Sequence, residues 1–169
     1  GEEFAIRDSV APIRAKAGQI VGAVLVFTDV TEERRMAHQL SWQASHDPLT
    51  QLLNRSEFSK YLKRAANDAR LENQRHILGY LDLDHFKVVN DTCGHSAGDE
   101  LLRQVTALLQ TKIRKADILS RLGGDEFGFL LYQCPLEKAL QLAHTLCESL
   151  QEFRFAWQDR GFSIGASIG

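Results

Sequence analysis

Two apolar strand-like runs, Ile118-Leu119-Ser120-Arg121-Leu122 and Phe127-Gly128-Phe129-Leu130-Leu131-Tyr132, are separated by only Gly123-Gly124-Asp125-Glu126. Paired glycines tolerate positive φ and mark a tight turn, so the two runs are constrained to an antiparallel hairpin. Two strands alone are marginal in water, and a hairpin this apolar must be covered on its faces. The rest of the sequence supplies the cover. His76-Ile77-Leu78-Gly79-Tyr80-Leu81 reads as a third, buried strand followed by a Gly/Asp-rich turn. A long amphipathic helix from about Ser96 to Ile113 carries Leu101, Leu102, Val105, Leu108, Leu109 and Ile113 on its inner face. Pro135 opens a further helix reaching about Phe153, and strand-like segments follow at Arg154 to Gln158 and Phe162 to Ile168. The class expected is α+β, a mainly antiparallel sheet flanked by helices.

Ahead of this core, Phe4 to Ala15 and Ile20 to Val30 read as two more strands, joined by the turn-like Lys16-Ala17-Gly18-Gln19. They form a hairpin without a core, expected to be the remnant of a larger upstream domain. The acidic Gly1-Glu2-Glu3 reads as the cut end of a longer chain rather than a signal peptide. Thr31 can cap a connecting helix whose first turn holds Glu32 and Glu33 and whose apolar edge is Met36, Ala37, Leu40 and Ala44. Barely two heptads long, that edge does not fix a coiled coil. A second boundary falls at Asp47-Pro48, where the Asp can cap and the Pro can take the first helical turn of a pattern running through Leu49, Leu52, Leu53, Phe58, Tyr61, Leu62 and Ala65. The organisation expected is therefore a hairpin over 1–30, a linker helix over 31–46 and a main domain over 47–169.

Composition removes several classes of function. Twenty Lys+Arg against 22 Asp+Glu gives a net charge of −2, far from the basic balance of a domain that grips nucleic acid. The longest apolar stretch, Ile20 to Phe27, is much shorter than the roughly 18 residues a spanning helix needs, so no membrane contact is expected from this segment. Cys93, Cys134 and Cys147 show no CxxC spacing, which argues against a disulfide framework or a zinc site and makes a reducing cytoplasm the expected compartment.

Chemistry enters where the strand from Ile77 runs into Asp82-Leu83-Asp84, because the period of two puts both carboxylates on one side. Such acids often do no more than solvate a turn, and Asp125-Glu126 after two glycines has the same ordinary reading. The sharper reading is that the glycines admit a nucleotide to the backbone while Asp125 joins Asp82 in holding a divalent ion. Carboxylates that leave several positions to water and phosphate oxygens suit Mg²⁺. The two readings differ by a metal requirement. Lys87, Asn90 and Asp99, taken singly, are a surface, a turn and a helix N-terminal residue, and spacing does not decide more.

Together, however, Asp47-Pro48-Leu49-Thr50, Leu81-Asp82-Leu83-Asp84-His85-Phe86-Lys87, Asn90-Asp91, Gly94-His95, Gly98-Asp99 and Arg121-Leu122-Gly123-Gly124-Asp125-Glu126-Phe127 resemble, in order and spacing, the GGDEF family of diguanylate cyclases. The resemblance covers Asp47 to Gly169. Upstream, Phe27-Thr28-Asp29-Val30-Thr31-Glu32-Glu33 resembles the last hairpin of a PAS sensor domain and its junction to an output helix, over a shorter match. The family resemblance implies a fold similar to nucleotide cyclases and polymerase palms (ferredoxin-like), and condensation of two GTP into cyclic di-GMP with loss of two pyrophosphates. It further implies an antiparallel homodimer with one GTP held per subunit.

By that resemblance Asp82, the Leu83 carbonyl and Asp125 would hold Mg²⁺ (or Mn²⁺), which would acidify the ribose 3′-OH. Lys87 would neutralise phosphate charge, and backbone N–H groups near His85 and Phe86 would cradle phosphate oxygens. Asn90 and Asp99 would read guanine, Gly123 and Gly124 would admit the nucleotide, and Glu126 would lie beside the ribose as base or organiser. Arg121 is expected to be structural or phosphate-adjacent. Arg114-Lys115-Ala116-Asp117 resembles the family's inhibitory product site, where Arg114 and Asp117 would bind cyclic di-GMP. The family pattern continues past Gly169 through one more helix and a short strand that bring a Lys and an Arg to the triphosphate. Weak nucleotide binding and slow turnover are therefore expected of the chain as it stands. Three readings result: a catalytic cyclase domain; an inactive GTP or cyclic di-GMP receptor that regulates a neighbour such as a phosphodiesterase; and a dimerising, signal-transmitting segment acting through the Thr31 to Ser45 helix.

Overall fold

The structure, a computed structural model, describes residues 4–16 and 18–169. Ala17 of the expected turn and Gly1-Glu2-Glu3 lie outside the described residues. The chain divides into two units, Gly1–Ala44 and Ser45–Gly169.

In the first unit, β1 (Ile6–Arg14) and β2 (Ile20–Asp29) pair antiparallel from Ile6↔Asp29 to Ile13↔Gly22, with a register shift beside Arg14. The pattern is apolar on both faces, so pairing buries almost none of it: Val10, Leu25 and Phe27 stay more than half exposed. Helix α1 (Thr31–Ser45) follows. Thr31 does not use its hydroxyl as the cap. The Asp29 Oδ1 accepts from the Thr31 N–H at 2.9 Å, while the Thr31 Oγ1 accepts from the Ala5 N–H at 2.9 Å and so ties the helix start to β1. Val30, buried at that junction, hydrogen-bonds the Ala5 carbonyl.

The second unit begins with an irregular stretch, not the helix expected at Asp47-Pro48. The Asp47 Oδ1 accepts from the Thr50 N–H and Oγ1 at 2.8 and 2.7 Å, which closes a turn over Pro48 instead of capping a helix. The stretch then runs beside the later strand Ile118–Gly123 through a parallel bridge of Leu53 to Ser120. Helix α2 (Arg55–Glu72) starts later because Asn54 is the cap, its side chain accepting from the Glu57 N–H at 3.0 Å.

Strand β3 (Ile77–Asp84) is followed by α3 (Phe86–Cys93), α4 (His95–Lys112), β4 (Ile118–Gly123) and β5 (Glu126–Leu131). Helix α5 (Leu136–Glu152), the small hairpin β6 (Arg154–Trp157) and β7 (Arg160–Ser163), and β8 (Gly165–Ile168) complete the unit. The class is α+β: one antiparallel sheet in the order β4-β5-β3-β8, with helices on both faces. The alternation on β5 shows how both faces are used. Phe127, Phe129 and Leu131 pack with Leu101, Leu102, Val105 and Leu109 of α4 and Leu146 and Leu150 of α5. Leu130 on the opposite face packs with Leu122 and with Phe58 and Ala65 of α2.

Three expectations need correction. Strand β3 is not buried throughout: it alternates, with Leu78 and Tyr80 exposed and Leu81 and Leu83 buried, because the inner face of the sheet takes only every second side chain. The Gly/Asp-rich turn expected after β3 instead contains a two-turn helix over 86–93, since Phe86, Val89 and Cys93 fall on one face against the core. The final strand segment breaks at the buried Ile164 into β7 and β8.

Candidate active site

Three strands of the second unit place the acidic residues. Asp82 and Asp84 leave the end of β3 on the same side, and Asp82 stands directly opposite Glu126 of β5. Asp125 joins them through the turn. Gly124 adopts φ 54° and Gly123 φ 146°, so only Gly124 and Asp125 lie between the strands, and Gly123 and Glu126 are strand residues that pair with each other. The Leu83 N–H donates to the Asp125 carbonyl at 3.4 Å, which holds the turn against the end of β3. Arg121 braces the turn from behind: its Nε and Nη2 donate to the Gly124 carbonyl at 3.0 and 2.8 Å, and its Nη1 donates to both Asp47 carboxylate oxygens at 3.1 and 3.2 Å. Arg121 is thus structural, and most of its side chain is shielded from water.

The result is a concentration of negative charge with little compensation. Burial first, and then the facing charges of Asp125, Glu126 and Asp84, push the Asp82 carboxyl above its ordinary value. A cleft of about 430 Å³ opens beside it, lined by Arg55, Tyr80, Asp82, Leu122, Glu126 and Ser167. Arg55 is the cation of this lining, with its Nη2 3.8 Å from the Glu126 Oε2. Asp84 is drawn to the opposite edge, where its Oδ1 accepts from the Ser167 Oγ at 3.0 Å on β8. No group of three His, Cys, Asp or Glu side chains among the described residues is placed to hold a metal ion by itself. A donor set of mutually repelling carboxylates beside a carbonyl nevertheless fits a hard divalent cation that keeps water and phosphate ligands.

The other expected residues lie on α3 and α4. His85 precedes α3 at φ 64°, Phe86 opens the helix and packs on the core, and Lys87 projects from its exposed first turn. Asn90, midway along α3, lies against Gly98 of α4, beside the exposed Asp99. Arg114 and Asp117 stand apart from the acidic cluster. The Arg114 Nε and Nη2 fork onto the Asp117 Oδ2 and Oδ1 at 2.8 and 3.1 Å, and the nearly inaccessible Asp117 also accepts from the Tyr132 N–H at 3.0 Å. A cleft of about 360 Å³ beside this pair includes Lys112 and Lys138. Arg55 was not singled out from the sequence. A cation opening a helix carries no local sign of a site, and its nearness to Glu126 is created by the fold.

The family model for the GGDEF domain of diguanylate cyclases matches residues 44–169. The chain belongs to the GGDEF family. Over its whole length it is 44% identical to the probable diguanylate cyclase DgcE of Escherichia coli K12, of which it covers 15%. It is 34% identical over 164 residues, 97% of the chain, to the cyclic di-GMP phosphodiesterase PdeB of Shewanella oneidensis, of which it covers 19%. Among solved structures it resembles the coiled coil and GGDEF domain of DgcB from Caulobacter crescentus in complex with c-di-GMP, with a TM-score of 0.77 and 26% identity over 83% of this chain and 75% of that one. The GGDEF chain thus spans less than a fifth of these two curated relatives. No helix among its described residues is long and apolar enough to cross a membrane.

Proposed function

We propose that this chain is the output domain of a diguanylate cyclase, which joins two GTP into cyclic di-GMP and releases two pyrophosphates across an antiparallel homodimer holding one GTP per subunit. The observation that carries the reading is the convergence of Asp82, Asp125 and Glu126 at one end of β3 and β5, where the exposed Arg55 lies beside Glu126. Asp82, the Leu83 carbonyl and Asp125 would hold Mg²⁺ or Mn²⁺, which when bound supplies charge neutralisation to the triphosphate and acidity to the attacking 3′-OH.

The protein's own groups position the substrate. Lys87 and the N–H groups around His85 and Phe86 receive phosphate oxygens, while Gly123 and Gly124 keep side chains away from the nucleotide. Glu126, opposite Asp82, faces the ribose, and Arg55 holds its carboxylate away from Asp82. Asn90 and Asp99 take the guanine: a carboxylate accepts from the ring N–H and exocyclic amine together, a donor pair that adenine lacks on that edge. Conversion of GTP to cyclic di-GMP that needs Mg²⁺ and stops with EDTA tests the reading.

We assign feedback inhibition to Arg114 and Asp117. The preformed fork and the neighbouring Lys112 and Lys138 suit a phosphodiester ligand bearing guanine. The hairpin over 1–30 is read as the end of a PAS-type sensor, on the strength of its exposed apolar faces, with the 31–46 helix as linker and 47–169 as the catalytic domain. The free thiols Cys93, Cys134 and Cys147 favour a cytoplasmic compartment. The likeness to a phosphodiesterase supports a second reading, in which the domain binds GTP or cyclic di-GMP and controls a neighbouring enzyme. Nucleotide binding without Mg²⁺-dependent product would select it.

A further inference from the structure

The contact between α3 and α4 at Asn90 and Gly98 goes beyond the roles given above. Gly98 is buried on the first part of α4, and the carboxamide of Asn90 occupies the volume that a side chain there would fill. A Cβ built on residue 98 would lie 2.1 Å from the Asn90 Oδ1, 2.9 Å from its Cγ and 3.2 Å from its Nδ2. Oδ1 and Cγ are thus closer than a Cβ tolerates and Nδ2 is tight, so the whole carboxamide, and not only its tip, would have to shift. The Asn90 Oδ1 is itself buried and has no hydrogen-bond partner among the described residues. A buried acceptor left unpaired is costly, and such groups are kept where function requires the geometry.

We propose that Gly98 is a positioning residue for base selection, which resting on the guanine reading above assigns it a role through Asn90 rather than by contact with the substrate. With the oxygen stowed against Gly98, the atom of the amide farther from that position, and so left to meet a ligand, is Nδ2, a donor. A donor matches the O6 acceptor of guanine. Adenine opposes it with the N6 amine, which is itself a donor. Asp99, the next residue on α4, supplies the acceptor for the ring N–H and exocyclic amine. The empty side chain at 98 therefore sets donor and acceptor side by side, and a methyl group there would expel the amide from its seat.

The test is a double-mutant cycle in the full-length protein, with Asn90→Ala, Gly98→Ala and the double variant. Affinities for GTP and ATP with Mg²⁺ are measured by calorimetry, and thermal melting is measured for each protein. Gly98→Ala is expected to weaken GTP about as much as Asn90→Ala does, roughly tenfold or more for a lost base contact, with ATP unchanged. The double variant is expected to bind GTP no more weakly than Asn90→Ala, because the amide that the methyl group displaces is already gone. In melting, Gly98→Ala is expected to destabilise the wild type but not the Asn90→Ala protein. That second background also keeps the test decisive if Gly98→Ala alone fails to fold. Wild-type GTP affinity in Gly98→Ala, or losses that add in the double variant, would overturn the inference. A wild type that binds no guanine nucleotide would instead overturn the guanine reading on which it rests.

Discussion

Asp82 and Glu126 face each other across the β3–β5 ladder as a directly opposed pair, with Asp125 held at the same end by the Leu83 N–H. Like charges opposite one another destabilise a sheet, so this end of the strand pair works against the fold unless its charge is neutralised. Asp82→Asn is accordingly expected to raise the melting temperature of the metal-free protein at pH 7 while removing the rise that Mg²⁺ gives the wild type. The sign follows from its carboxyl, which is pushed above its ordinary value: it favours the fold only while protonated, and that support is lost as pH rises through the raised value. Melting scans with EDTA and with Mg²⁺ check both halves.

Asp47 and Arg121 couple the irregular stretch before α2 to the glycine turn. Burial alone would raise the Asp47 carboxyl, but hydrogen bonds from Thr50 and Arg121 outweigh it and hold it below its ordinary value. A depressed carboxyl contributes stability above its unfolded value of 3.8 and loses it as pH falls through the lower folded value. Asp47→Ala is expected to cost roughly 2–4 kcal/mol at pH 7, because it strands a largely shielded guanidinium. The difference from wild type should shrink below the ordinary carboxylate range in acid-dependent denaturant titrations.

The two members of the Arg114–Asp117 pair should separate in their effects. Arg114 is mostly exposed, so Arg114→Ala is expected to change stability by under about 1 kcal/mol while relieving inhibition by cyclic di-GMP. Asp117→Ala removes the acceptor of the Tyr132 N–H as well, and should cost about 1–3 kcal/mol in addition to relieving inhibition. Urea unfolding and product-inhibition curves on the same proteins distinguish the two.

Arg55 offers a test of the cleft itself. Its ion pair with Glu126 is exposed and weak, so Arg55→Ala should leave melting within about 0.5 kcal/mol of wild type. If the cleft holds the reacting nucleotide, the loss should appear in kcat and not in stability, and steady-state kinetics beside melting curves would show it.

Much of this architecture was legible in the sequence because the decisive patterns are local. The glycine pair forces the β4–β5 hairpin, and the spacing of Leu101, Leu102, Val105 and Leu109 defines the inner face of α4. The errors arose where tertiary partners override local preference. Asp47 has the chemistry of a helix cap, but Thr50 and Arg121 claim its oxygens and Asn54 caps α2 instead. Residues 86–93 look like a loop until Val89 is seen to be fully buried. Arg55 gave no local signal, and Gly98 none beyond its place in the Gly98-Asp99 block, because each matters through a residue that only the fold brings close.

The most direct test of the central claim is incubation of the full-length protein and its Asp125→Ala variant with GTP and Mg²⁺, following cyclic di-GMP and pyrophosphate. The account predicts product from the wild type alone, at two pyrophosphates per cyclic di-GMP, with the melting temperature of Asp125→Ala close to wild type because a turn carboxylate contributes little to the core. Full turnover by Asp125→Ala, or no product from a wild type that is folded and binds GTP, would contradict it.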